Sequence, residues 1–311
     1  MDHLALTHQQ VRAGLAMMKA IALADGALDE KEVSLIEASA KALGRPCDAG
    51  ALEPAAPADV AAALTSPLVR ERALQAAMLV AMIDGNVSPL EVEALASFAT
   101  ALGVDDARLH NLDQLARGHV RRMWLDLARR SFARPVFEEA LRKRGLSGVL
   151  TIVAPMEGLG KNPDLARRYL DLGTLEEGTL GRAYWRFIVD NELGFPGEGV
   201  VAEEGVWHDI THVLAGYGTD PAGEVQVVSF IAGYRREDPF FWLFTIALQF
   251  HLGIKVSPYS PALLGHFDPA LVIGALERGM AMKRDLSVDY DHWADMPLSL
   301  DVVRKKYGVT R

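Results

Sequence analysis

Apolar residues recur at helical spacing through most of this chain, and twice they do so in nearly the same way. The stretch LAMMKAIALADGALDEKEVSLIEASAKALG, beginning at Leu15, returns as LQAAMLVAMIDGNVSPLEVEALASFATALG, beginning at Leu74. Val33, Ile36, Ala40 and Leu43 share one helical face in the first copy, as Val92, Leu95, Ala99 and Leu102 do in the second. Gly44 and Gly103 then stand where C-terminal caps are expected. Two packed copies of one helical unit are therefore predicted for the N-terminal third. Between them, Gly44 to Pro67 is rich in Pro, Gly and Ala, which predicts a loop carrying a short helix rather than a domain boundary.

Beyond the second repeat the pattern stays helical. From Val120 the apolar faces are broken at Pro135 and closed at Gly145, with a short extended piece in view at 148–153. A Gly-rich turn precedes a helix around Tyr184 to Val189. Period-two alternation is scarce, so the expected fold class is all-α, in two helical domains, 1–108 and 109–311.

A helix is also predicted from Glu203 to Tyr217. At about 100° per residue, Val206, Ile210, Val213 and Leu214 cluster on one side, while His208 and His212 fall nearly opposite with Asp209 beside them. Either these polar residues look into solvent or a further layer of helices closes over them. Gly216 and Gly218 turn the chain, and Thr219-Asp220-Pro221 opens a second helix with Asp as N-cap and Pro in the first turn. Glu224 then falls in that helix's first turns, where its charge suits the dipole and its position returns it toward the histidines.

The composition narrows the function classes. A chain of 311 residues exceeds the usual single-domain size, and half of its residues are hydrophobic, enough for two cores. A net charge of -9 without a Lys/Arg run argues against a nucleic-acid surface. Cys47 is the only cysteine, which removes internal disulfides and multi-Cys zinc cages and suits a reducing, cytoplasmic setting. The start, MDHLALTHQQ, lacks a basic region followed by an apolar core, so no secretory signal is expected. The apolar run from Pro239 to Phe250 is shorter than the roughly 20 residues a spanning helix needs, which leaves peripheral contact with a membrane as an option.

Ligand chemistry concentrates in VWHDITHVLAGYGTDPAGE, where His208, Asp209 and His212 are followed after eleven residues by Glu224. Imidazoles four apart lie on one side of a helix, and with a carboxylate they suit zinc, iron or manganese better than calcium. Either Asp209 or Glu224 can complete the set while the other orients a histidine. If the protein is an enzyme, Asp209 is the catalytic candidate, as ligand or base.

Each N-terminal repeat carries an Asp-Gly turn, Asp25-Gly26 or Asp84-Gly85, before an acidic helix start. Over roughly residues 5 to 105 this pattern resembles the tellurite-resistance TerB family, whose corresponding acids have been associated with divalent cations. The matching residues are Asp25, Asp29, Glu32, Asp84 and Glu91. The competing reading of the same residues is structural. Asp29 with Glu32, and Ser88 with Pro89 and Glu91, are capping boxes, and Asp-Gly is a favoured turn.

From about residue 115 to the end the chain resembles the coenzyme Q (ubiquinone) biosynthesis protein four family. The resemblance rests on His208, Asp209, His212 and Glu224 within HDITHVLAGYG and the following Gly223-Glu224. It extends to GTLGRAYWRF (Gly178 to Phe187) and to the closing GALERGMAMKRDL and MPLSLDVVRKKYGV. It implies an α-helical protein with a metal at these four residues and an apolar cavity for a polyprenyl lipid or quinone precursor. It also implies an organiser of a biosynthetic complex and a contributor to oxidative decarboxylation at ring carbon C1. Other quinone-biosynthesis proteins, a membrane surface and a second copy of the chain are the partners in view. A non-catalytic lipid-binding scaffold is the alternative. A metal-dependent hydrolase ranks lower, because Asp209 stands where an HExxH protease has its Glu base.

The stretch from Asp238 to Gly253 holds Phe240, Phe241, Trp242, Phe244 and Phe250, read either as a core helix or as the wall of a lipid tunnel. His251 is then a core histidine or a polar contact in that tunnel. His266 and His292 lie in expected loops and read as surface residues.

Overall fold

The computed structural model describes residues 6–130, 161–198, 203–256 and 260–310. The expected breaks at Pro135 and Gly145 and the extended piece at 148–153 lie outside these residues. Among the described residues the structure is helical with no strand, only isolated bridges at Thr179–Ser299 and Leu252–Leu264.

Two compact units emerge. One comprises Met1–Leu127 with Glu237–Glu277, and the other Ala128–Arg236 with Arg278–Arg311. The boundary expected at 108/109 thus falls inside the first unit, and a segment far along the chain belongs with the N-terminal residues.

The first unit contains α1 (His8–Ala22), α2 (Glu30–Ala42), α3 (Pro57–Ala63), α4 (Pro67–Ile83), α5 (Pro89–Leu102) and α6 (Ala107–Ala116). Next in the chain is α7 (Val120–Arg130). The repeat is visible in the helix ends. Gly44 and Gly103 adopt left-handed φ of 67° and 65°, and Arg45 and Val104 donate back to the carbonyls of Ala40 and Ala99. The short helix α3 sits in the linker, as the composition predicts. The buried ammonium of Lys19 pins that linker by donating to the carbonyls of Ala49 and Gly50 at 2.7 Å. Met17, Ile21, Leu35, Leu74 and Met78 are buried in the core that the copies share.

To this unit the later segment adds α12 (Pro239–Ile246), which runs on as one π-helical turn, Ala247–His251. Phe240, Phe244 and Phe250 are buried there, while Phe241 and Trp242 are less enclosed. Arg108 lies over the Phe240 ring at 4.8 Å and pairs with Asp238. His251 is a core histidine: its Nε2 donates to the Ile83 carbonyl at 2.7 Å and its Nδ1 accepts from the Phe267 N–H at 3.4 Å. Burial holds it below the usual imidazole range, in keeping with the neutral form those bonds need.

The second unit is built on α8 (Pro163–Leu170), α9 (Leu180–Asp190), α10 (Val206–Ala215) and α11 (Pro221–Tyr234). The division between the units falls within α13 (Pro269–Met280), and α14 (Leu300–Tyr307) belongs to the second. The motif helix α10 packs against α9, α11 and α14. Two outlying segments of the family resemblance meet here: Leu180 and Gly181 donate to the carbonyls of Leu298 and Met296, and Leu300 donates to that of Gly178. Arg304 donates to the carbonyls of Val213 and Leu214, and Arg278 to that of Ala215. These arginines satisfy the open carboxyl end of α10, where cationic donors are favoured. No described helix is long and apolar enough to cross a membrane.

Candidate metal centre

Val206, Ile210 and Leu214 bury the apolar stripe of α10, and Gly216, at φ 78°, ends the helix in the left-handed conformation. The return to α11 is tight. Asp220 caps α11 by accepting from the Gly223 N–H at 2.7 Å, and Thr219 donates to Asn191 at the end of α9. Gly223 lies so close to Gly218 that a Cβ there would collide with the Gly218 carbonyl. This contact carries Glu224, the next residue, back to the histidines.

His208, His212 and Glu224 form a group able to hold a metal ion, each offering one ligand atom, all within 4.8 Å of one another. The two Nε2 atoms are 3.3 Å apart, with Glu224 Oε1 3.4 Å from His212 Nε2 and Oε2 3.7 Å from His208 Nε2. Ligands of a tetrahedral ion with bonds of about 2.0–2.1 Å sit about 3.3–3.4 Å apart, which the two separations from His212 Nε2, 3.3 Å to His208 Nε2 and 3.4 Å to Glu224 Oε1, match. Its chemistry fits too. His212 Nδ1 contacts the Tyr217 carbonyl at 3.2 Å. A carbonyl can only accept, so Nδ1 carries a proton and Nε2 is the atom left to ligate an ion from the neutral ring.

The electrostatics favour positive charge at this point. Burial alone would push the His208 imidazole down, but its contact with Glu224 and the charges of Asp209 and Glu224 hold it above the usual range. Burial works to raise the Glu224 carboxyl, yet both histidines bring it down to about 2. Asp209 stands outside the converging group, near enough to feel both histidines. Burial outweighs them and, with the Glu224 charge, raises the Asp209 carboxyl. Of the four expected residues, three converge and Asp209 flanks them.

A layer over the histidines comes from α9. Phe187 stacks on His212 with centroids 5.2 Å apart, and the His212 side chain is 1% exposed against 29% for His208. His208 thus marks the open side of the group.

The same unit holds a network that sequence reasoning misses. Tyr169 contacts His292 Nε2 at 2.8 Å and Glu203 Oε1 at 3.0 Å, and the Trp293 indole donates to the same Glu203 oxygen at 3.0 Å. His292 is therefore half-buried and engaged in the fold, not the surface residue expected, and packs on Trp293 with centroids 5.0 Å apart. Burial holds its imidazole below the usual range despite Glu203 and Asp291. The aromatic neighbours Tyr290 and Trp293 are the signal available in the sequence. His266 is exposed, as expected.

The five acids of the N-terminal repeats serve helix caps and turns. Both capping boxes form, with Glu32 accepting from the Asp29 N–H at 2.7 Å and Glu91 from the Ser88 N–H at 3.2 Å. Asp25 and Asp84 accept from Ala27 and Asn86 across the Asp-Gly turns. Among the described residues, their ligand atoms do not converge as those of the histidine site do. Burial, with the charges of other acids from both copies, raises Glu32 to about 7 and Glu91 to about 8. The folded state therefore keeps protons that the unfolded chain releases near pH 4.5, and stability is expected to fall as pH rises through this window, by at most about 1.4 kcal/mol per pH unit for each carboxyl. Urea unfolding at about pH 5 and about pH 8 checks the slope. Glu91→Gln should flatten it, and an unchanged slope would remove Glu91 as its source.

No protein-family model matches this chain, and comparison with characterised proteins and with solved structures finds no significant match.

Proposed function

We propose that this is a ubiquinone-biosynthesis-type protein that binds a divalent metal and a polyprenyl lipid or quinone precursor, and that contributes to oxidative decarboxylation at ring C1. The observation that carries the reading is the convergence of His208, His212 and Glu224 at metal-ligand separations. The sequence resemblance from residue 115 onward supports the lipid and the pathway. Zinc, iron or manganese suits this nitrogen and carboxylate set, and such an ion supplies Lewis acidity toward a substrate oxygen. Around it, the chain's own residues have separable tasks. Tyr217 fixes the His212 tautomer through its carbonyl, Phe187 shields that ring from water, and Asp209 is placed to hold or move a proton beside the group.

The test is metal analysis of protein purified from its own host. Wild-type protein is expected to carry about one zinc, iron or manganese per chain, and His208→Ala to lose at least ~90% of it together with any turnover of a prenylated hydroxybenzoate. Full occupancy in the variant would defeat the assignment. Bound metal and lipid without turnover would select the scaffold.

A further inference from the structure

Tyr184 lies on α9 three residues before Phe187, so the two side chains share the helix face that looks toward α10. The Tyr184 side chain is fully buried, its ring 5.9 Å from that of Tyr169. Its hydroxyl is nevertheless without a hydrogen-bond partner among the described residues. Its neighbours are satisfied. The Tyr169 hydroxyl engages His292 and Glu203, and Glu203 Oε1 also accepts from Trp293. Burial and the charges of Asp209 and Glu203 push the Tyr184 phenol up, so at neutral pH it is a protonated donor. A buried donor without a partner is uncommon, and a ligand oxygen is an acceptor that would answer it.

We infer that Tyr184 is a positioning residue whose hydroxyl donates a hydrogen bond to an oxygen of the ligand bound beside His208, His212 and Glu224. The ligand class is an aromatic ring bearing a carboxylate or phenolic oxygen. The oxygen answers the orphan donor, and the ring suits a wall formed by Tyr184 and Phe187. This inference rests on the function proposed above, and goes beyond it by assigning the second anchor of the ligand to a residue outside the metal group.

The probe is 4-hydroxybenzoate carrying a geranyl chain, titrated calorimetrically into metal-loaded protein. Tyr184→Phe keeps the ring and breaks no hydrogen bond among the described residues, so melting temperature and metal content should match or exceed those of the wild type. Affinity for the probe should fall roughly tenfold to a hundredfold. Tyr169→Phe is the contrast, because its hydroxyl is bonded within the fold and its loss should lower the melting temperature. Equal probe affinity in wild type and Tyr184→Phe would overturn the inference and leave the proposed function standing. A destabilised or unfolded Tyr184→Phe would also overturn it, by exposing an internal role for the hydroxyl. Wild-type protein that takes up metal but not the probe would reject the ligand class, and protein that takes up no metal would reject the proposed function itself.

Discussion

Gly223→Ala is expected to abolish high-affinity metal binding although it leaves all three ligands in place. The added Cβ would fall on the Gly218 carbonyl, in the turn that brings α11 back against α10. Relief requires the two helix ends to separate, and overpacking of this kind costs about 1–3 kcal/mol. Separation moves Glu224 away from His208 and His212, whose present distances of 3.7 and 3.4 Å from its oxygens leave little tolerance. Zinc affinity measured by competition with a chelator should drop by about a hundredfold or more, with a lower melting temperature. Gly218→Ala is the control, since a Cβ there meets only Asp220 at ordinary contact distance, 3.5 Å. Normal zinc affinity in Gly223→Ala would show that the turn does not set the site.

His251→Leu should be among the most damaging single changes in the first unit. The substitution keeps bulk but leaves the Ile83 carbonyl and the Phe267 N–H facing an apolar group. Each orphaned polar group costs about 1–3 kcal/mol, so a total loss of about 2–6 kcal/mol is expected in urea unfolding. Metal content at the histidine site should stay unchanged in protein that folds. A loss below about 0.5 kcal/mol would mean that these bonds are exchanged with water and would reopen the reading of His251 as a tunnel contact.

The parts of the site that are legible in the sequence are those set by local rules. His208 and His212 share a helix side because of the helical period, and Gly216, Asp220 and Pro221 mark the turn that returns Glu224. The repeat caps at Gly44 and Gly103 and the boxes at Asp29 and Ser88 follow from the same kind of local chemistry. What stays hidden depends on contacts between residues far apart in the chain. His292 reads as a loop residue until Tyr169, 123 positions earlier, appears against its imidazole. His251 is separated by 168 positions from the carbonyl that fixes its role. The need for a cover over His212 is readable from the helical pattern, and the aromatic run after Asp238 is the obvious source in the sequence, yet Phe187 supplies it from α9. Asp209 is indistinguishable from a ligand in the sequence, because adjacency along a helix does not tell which way a short carboxylate reaches.

The division of the chain has a consequence for how the protein is made. The first unit takes Glu237–Glu277 from beyond most of the second unit's residues. During synthesis the N-terminal repeat therefore emerges with the place of the π-helical turn and His251 still empty, and that contact forms only after about a hundred further residues have been made. Such a unit matures late despite starting first. In the interval it leaves uncovered the part of α4 against which the π-helical turn Ala247–His251 packs in the finished unit.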